Sequence, residues 1–154
     1  MSGEGAPVIE PAQAPGLKVS VVAGQWHKHI AEGLLAGALG YLTTTGAEVS
    51  VLRVPGSFEL PLACQNVLKG GADAAVALGV IIRGGTPHFD YVASAATNGL
   101  TQVALETGKP VGFGVLTIDD EAQGLDRAGL EGSREDKGAE AADAAVRLAL
   151  SLRG

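Results

Sequence analysis

Cysteine is nearly absent from this chain of 154 residues: Cys64 stands alone, so neither an internal disulfide framework nor a cysteine-based metal cluster can be built. Basic runs are missing too. With 11 Lys and Arg against 17 Asp and Glu the net charge is −6, which argues against a nucleic-acid or anionic-membrane surface and limits any phosphate ligand to a small one. No apolar run reaches the length of a membrane span. Residues 1–16 are rich in Gly, Pro and Ala but have neither the basic start nor the long apolar core of a signal peptide, so they read as a flexible arm and the location as cytoplasmic. Several nucleotide and hydrolase signatures are lacking: Gly-x-Gly-x-x-Gly, Gly-x-x-x-x-Gly-Lys-Ser/Thr and Gly-x-Ser-x-Gly. His27 and His29 lie two apart with no metal-ligand spacing, and they read as surface residues.

What is present is enough for one well-cored domain, residues 17–154, with 46% apolar content. Short β-branched runs at residues 17–23, 48–54, 72–82 and 111–117 predict four strands. Between and after them, amphipathic or small-residue stretches predict helices at 26–44, 58–69, 87–107, from 119 to near 129, and 135–153. Ser57 is the expected N-cap of the second helix, and Asp119, Asp120 and Glu121 place carboxylates where the fourth begins. Strands alternating with helices through short turns point to an α/β protein: a three-layer α/β/α sandwich on a four-stranded parallel sheet, flavodoxin-like in strand order.

Ligands of such sheets bind beyond the carboxyl ends of the strands. Three segments collect there: Trp26, the only tryptophan; Ser57-Phe58-Glu59; and the glycine pair that closes the apolar third strand, Arg83-Gly84-Gly85-Thr86-Pro87-His88. Thr86 suits an N-cap and Pro87 the first helical position, which would aim the amides near Gly85 and Thr86 outward as a nest for a small anion. His88 falls in the same first turn and is a titrating group able to pass protons. The same pattern also describes an ordinary strand-to-helix turn with a surface histidine. Trp26 offers a planar wall for a heteroaromatic ring, or a core contact; Glu59 could accept from ligand hydroxyls, or simply charge a helix start.

The blocks Gly56-Ser57-Phe58-Glu59-Leu60-Pro61, Leu78-Gly79-Val80-Ile81-Ile82-Arg83-Gly84-Gly85-Thr86-Pro87-His88-Phe89-Asp90-Tyr91, Gly114-Val115-Leu116-Thr117, Asp126-Arg127-Ala128-Gly129 and Asp136-Lys137-Gly138 resemble the lumazine synthase family, in order and spacing, across residues 17–152. The resemblance implies condensation of 5-amino-6-(D-ribitylamino)uracil with 3,4-dihydroxy-2-butanone 4-phosphate to 6,7-dimethyl-8-ribityllumazine, the penultimate step of riboflavin biosynthesis, with release of phosphate and water. It implies no cofactor and no metal. Carried over by motif, Trp26 stacks on the pyrimidine, Ser57, Phe58 and Glu59 bind the ribityl side, and Val80, Ile81 and Ile82 meet the pyrimidine edge through their backbone. Gly85, Thr86 and Arg127 hold the phosphate, and His88 moves protons. The resemblance places Phe113 and Arg127 at the neighbour's site, with Lys137 approaching the same interface, because the family builds each site between neighbouring subunits of a ring of five. Trp26 stands where the family often has phenylalanine, and the position of Phe113 varies.

The resemblance further implies a homo-oligomer. The connection between the last two helices, residues 129–138, is longer than the compact form resembling that of shell-forming relatives, which favours a free pentamer over a 60-chain shell. Riboflavin synthase, which would consume the product, is a candidate partner; nucleic acid and membrane are not. A non-catalytic flavin or lumazine carrier, or a shell protein on the same fold, is the rival reading. It would need none of His88, Arg127, Glu59 and the Gly85-Thr86 nest, all of which are kept.

Overall fold

A computed structural model describes residues 3–153; Met1 and Ser2, the outer end of the expected arm, and Gly154, the last residue of the expected domain, lie outside the described residues. The third strand organises the rest. Its sequence, AAVALGVII, is apolar at every position but its glycine, and all but its last residue is buried, because layers of helix cover both faces. The strands β1 (Lys18–Gly24), β2 (Glu48–Val54), β3 (Ala74–Ile82) and β4 (Val111–Ile118) form one parallel sheet in the order β2-β1-β3-β4. The expected three-layer α/β architecture is thus the one observed. The order reverses direction at β1, which leaves a crevice beyond the carboxyl ends of β1 and β3.

Alternate side chains of each strand feed two separate cores. Toward one face, Val19, Val21, Val76, Leu78, Val80, Leu116 and Ile118 meet α1 (Lys28–Thr43) and α5 (Lys137–Leu152). Toward the other, Val22, Ala75, Ala77, Ile81 and Val115 meet α2 (Leu60–Lys69) and α3 (His88–Thr107). Each fully buried Leu or Val contributes about 1.5–3 kcal/mol of transfer free energy, so the two cores fix both layers. Cys64 lies in the second core, where burial pushes its thiol up to about 12, so it packs as a small apolar side chain. The edge strand β2 is covered only at Val54. Among the described residues no helix is long and apolar enough to cross a membrane.

Helix boundaries differ from the expected ones by a few residues, each for a local reason. The last helix starts at Lys137, not Glu135, because Asp136 caps it by accepting from the Ala139 amide at 3.0 Å, while Glu135 is engaged backward with Asp126 and Gly129. The short helix α4 (Glu121–Arg127) is capped by Asp120 and stops before Gly129, because Ala128 pairs with Asp136 in an isolated antiparallel bridge. Ala14 is buried and Ile9 and Ala12 pack on the first core, where the Arg147 guanidinium donates to the Glu10 carbonyl. Arg147 is in turn held at 2.8 Å by Asp143, which accepts from the Tyr41 hydroxyl at 2.6 Å inside the α1–α5 interface. Burial, reinforced by that hydrogen bond, raises the Tyr41 hydroxyl above its ordinary pKa.

The α1–α5 approach is set by backbone. A methyl group on Gly138 would overlap the Leu34 carbonyl oxygen, so only glycine permits this separation. Gly138→Ala is therefore expected to lower stability by at least the roughly 1–3 kcal/mol typical of overpacking. Denaturant unfolding of the variant checks this; an unchanged midpoint would mean that the two helices can part without loss.

Candidate active site

The three segments expected to carry chemistry do converge. Beyond β1, the Gln25 amide donates to the Pro55 carbonyl at 3.1 Å and ties the first segment to the second. The Trp26 indole then lies against Gly56, where a Cβ would stand 2.7 Å from Cδ1, and 67% of the residue stays exposed. Trp26 is therefore a wall facing outward and not a core residue. His27 follows at φ 57°, the one non-glycine residue with positive φ among those described, so α1 begins at Lys28 and not at Trp26. Histidine tolerates this left-handed region better than most residues.

Beyond β2, the expected cap at Ser57 is corrected. Gly56 takes the capping position and its amide donates to Glu59 Oε1 at 2.9 Å, while Ser57–Glu59 form a single 3-10 turn ahead of α2. Ser57 instead turns inward over β3, where a methyl on Gly79 would collide with its oxygen. Its hydroxyl is buried and lacks a hydrogen-bond partner among the described residues. An orphaned hydroxyl of this kind costs about 1–3 kcal/mol, and a ligand group could satisfy it.

Beyond β3, the chain is pinned and then released. The Arg83 amide donates to the Ile118 carbonyl at 2.8 Å, and its guanidinium meets Asp119 at 3.0 Å while lying 4.5 Å from the centre of the Phe89 ring. Gly84, Gly85 and Thr86 follow as exposed backbone, and their amides make no hydrogen bond to the protein among the described residues. The expected cap moves by one residue: Pro87, at ψ 3°, is the boundary of α3 and His88 its first residue, while Thr86 Oγ1 accepts only a long 3.5 Å contact from the His88 amide. The free amides nevertheless stand at the positive end of a 20-residue helix.

These segments enclose an open cleft of about 320 Å³ lined by Trp26, His27, Gly56, Ser57, Phe58, Glu59, Val80, Ile81, Ile82, His88 and Val92. Three of these, His27, Gly56 and Val92, were not expected at the site, although Gly56 opens the first motif block. Val92 was legible, standing one helical turn after His88 on the same face. His27 was not, because an all-helical reading of residues 26–44 turned it to the surface. Gly85 and Thr86 stand exposed beside the cleft without lining it.

Three further expected residues lie elsewhere on this chain. Phe113 pairs with Ala77, five positions before the Ile82–Ile118 pair that closes the ladder, hence about 16 Å back along the sheet at 3.3 Å per residue. It sits half exposed in a separate groove beside Leu100, Thr101 and Ala104 of α3. Arg127 lines a different cleft, of about 530 Å³, bounded by the connection before α5 and by Gly3, Ala6, Pro7 and Ile9. There Arg127 pairs with Glu135 at 3.6 Å, and Lys137 lies between Glu135 and Glu140 at 3.2 Å from each. No group of three or more His, Cys, Asp or Glu side chains able to hold a metal occurs among the described residues.

Comparison with known proteins adds an independent line. The family model described as 6,7-dimethyl-8-ribityllumazine synthase matches residues 16–153. Proteins bearing that name are similar to the chain throughout: one from Leifsonia xyli subsp. xyli is 68% identical, the alignment covering 99% of this chain and 98% of the relative. Another, from Clavibacter michiganensis subsp. michiganensis, is 64% identical over 99% and 97%. A third, from Streptomyces coelicolor, is 58% identical over 99% and 96%.

The exposed position of Trp26 on the cleft wall generates a direct expectation. Binding of a planar heteroaromatic ligand such as riboflavin should quench its fluorescence saturably, and Trp26→Ala should weaken binding by about 1–3 kcal/mol. Emission that stays constant while calorimetry registers binding would place the ligand away from this wall.

Proposed function

The chain belongs to the 6,7-dimethyl-8-ribityllumazine synthase family, and from that premise we propose how its cleft performs the reaction. The protein is a lumazine synthase of riboflavin biosynthesis. Its substrates are 5-amino-6-(D-ribitylamino)uracil and 3,4-dihydroxy-2-butanone 4-phosphate. The uracil's amine attacks the ketone carbonyl, water leaves to give an imine, the phosphate is eliminated, and the ribitylamine nitrogen closes the ring with loss of a second water. Nothing in these steps calls for a cofactor. The protein contributes orientation and proton transfer.

In this reading Trp26 carries the pyrimidine ring, whose edge meets the backbone of Val80, Ile81 and Ile82. Ser57, Phe58 and Glu59 receive the ribityl chain, and the unpartnered Ser57 hydroxyl is the feature that best supports a polyhydroxylated ligand there. Gly85 and Thr86 offer free amides to the phosphate at the start of α3. His88, in the same first turn and on the cleft wall, moves protons between the two substrates.

The observation that carries the larger proposal is the separation of groups. Phe113, Arg127 and Lys137 lie on other faces of the same chain, so a complete site needs a neighbour's copies of them. A heterologous interface repeated around a closed ring supplies this, and exposed Leu62, Leu105, Phe113 and Leu148 are apolar surface available for it. We assign a pentamer of five 15.4 kDa chains, about 77 kDa, with residues 17–154 as its single domain and residues 1–16 as an arm. The connection before α5 supports this choice over a shell. It is folded back on α4 through Ser133, whose hydroxyl donates to the Leu125 carbonyl while accepting from the Leu130 amide at 2.9 Å, and through an Arg134–Asp126 pair. A cytoplasmic location and hand-over of product to riboflavin synthase complete the proposal.

His88→Ala should slow turnover roughly 10–10⁴-fold with assembly intact, the range for loss of one acid-base group; wild-type rates would remove His88 from the chemistry. Mixing His88→Ala and Arg127→Ala chains tests the shared site. After dissociation and reassembly, about one site in four combines an intact His88 from one chain with an intact Arg127 from the next. Activity should reappear in a particle of about 77 kDa by light scattering. If the mixture turns over no faster than the two variants kept apart, both groups act within one chain; a much larger particle would overturn the pentamer.

A further inference from the structure

We propose that Glu135 is a positioning residue for the phosphate end of the reaction, holding Arg127 and Lys137 side by side. The inference rests on the reading of Arg127 as a phosphate-binding group. Arg127 is held at two places: Nη1 donates to the Gln123 carbonyl at 2.9 Å, and Nε lies 3.6 Å from Glu135 Oε2. This leaves Nη2 with both protons unengaged among the described residues, the edge available to an incoming anion. The other carboxylate oxygen, Oε1, is buried and stands 3.2 Å from Lys137 Nζ without the alignment of a hydrogen bond. One carboxylate therefore serves two cations through charge.

Its placement is not left to the side chain. The Glu135 amide donates to Asp126 and its carbonyl accepts from Gly129, both at 3.0 Å, so the backbone on either side of Arg127 fixes where the carboxylate stands. Glu135 and Lys137 side chains are only 16% and 11% exposed, which spares their attraction most of the screening that weakens surface pairs. A carboxylate beside a phosphate site also repels the ligand. Positioning outweighs this here, because an unpinned arginine spreads over many rotamers, most of which miss the phosphate, whereas Glu135 lies 3.6 Å from Nε and leaves Nη2 without a hydrogen-bond partner among the described residues.

Glu135→Gln keeps the shape and removes the charge, and Lys137 retains Glu140 at 3.2 Å, so no buried cation is left unpaired. In the assembled enzyme, the KM for the phosphate substrate and the Ki of inorganic phosphate should both rise roughly 3–30-fold. The KM for the uracil substrate and the particle mass should not move. In an Arg127→Ala background the same change should have little further effect, because the group it positions is gone. A KM and Ki that fall or hold overturn the proposal, as does an equal loss for the uracil, which would mark Glu135 as a shaper of the interface. A Glu135→Gln effect that persists undiminished without Arg127 overturns the positioning role alone. Unchanged phosphate kinetics in Arg127→Ala itself would overturn the phosphate reading and this inference together.

Discussion

The burial of β3 on both faces is the constraint from which the rest follows. A strand that must be apolar at almost every position can carry no polar chemistry along its length, so polar groups can appear only where it ends. It ends abruptly: Arg83 is tied by its amide to Ile118 and by its guanidinium to Asp119, and the next three residues are bare backbone. The same burial forces helices onto both sides, and the helix that follows β3 directly brings its amino end to that bare backbone. Core formation and an anion-accepting end are consequences of one sequence pattern.

Tight backbone packing transmits this arrangement to the rest of the molecule. Gly138 lets α5 sit against α1, and the buried Tyr41–Asp143 hydrogen bond locks the two in register. Asp143 would be an expensive charge to bury alone; the tyrosine hydroxyl and Arg147 together satisfy it, and Arg147 also gathers in the Glu10 carbonyl. The amino-terminal segment is thus fastened to the helix whose own start carries Lys137. On the opposite layer Cys64, with its thiol pushed up to about 12, contributes volume and no reactivity.

The residues expected at the site divide into a group that one chain brings together and a group that lies elsewhere on its surface. Trp26, Ser57 and His88 come from three different crossovers yet face one cleft, because parallel strands deliver all their following loops to the same edge of the sheet. Two costs are accepted there: a left-handed His27 and an unpartnered Ser57 hydroxyl. By contrast the Arg127–Glu135–Lys137 cluster belongs to the connection between α4 and α5, on another face. With Glu140 beside Lys137, two carboxylates meet the two cations inside the chain, which keeps both ordered without a ligand.

Much of this was legible in the residues alone. Strand and helix succession, the parallel sheet and the crevice at its carboxyl edge follow from hydrophobic period and glycine placement, which are local properties read along the chain. The motif blocks from Gly56 to Gly138 carried the family, since their order and spacing survive without any knowledge of the fold. Tertiary structure alone decided the rest. Ser57 reads as a cap, but β3 passes beneath it with a glycine at the contact, and the cap falls to Gly56. His27 reads as one more residue of a helix, but the chain must bend there to lay Trp26 on Gly56, so a surface histidine becomes part of the cleft. Glu135 reads as a helix start, but its backbone bonds to Asp126 and Gly129 hold it beside Arg127 and Lys137. In each case the deciding partner is distant in sequence or engaged through backbone, and neither kind of contact leaves a periodic trace in the amino-acid order.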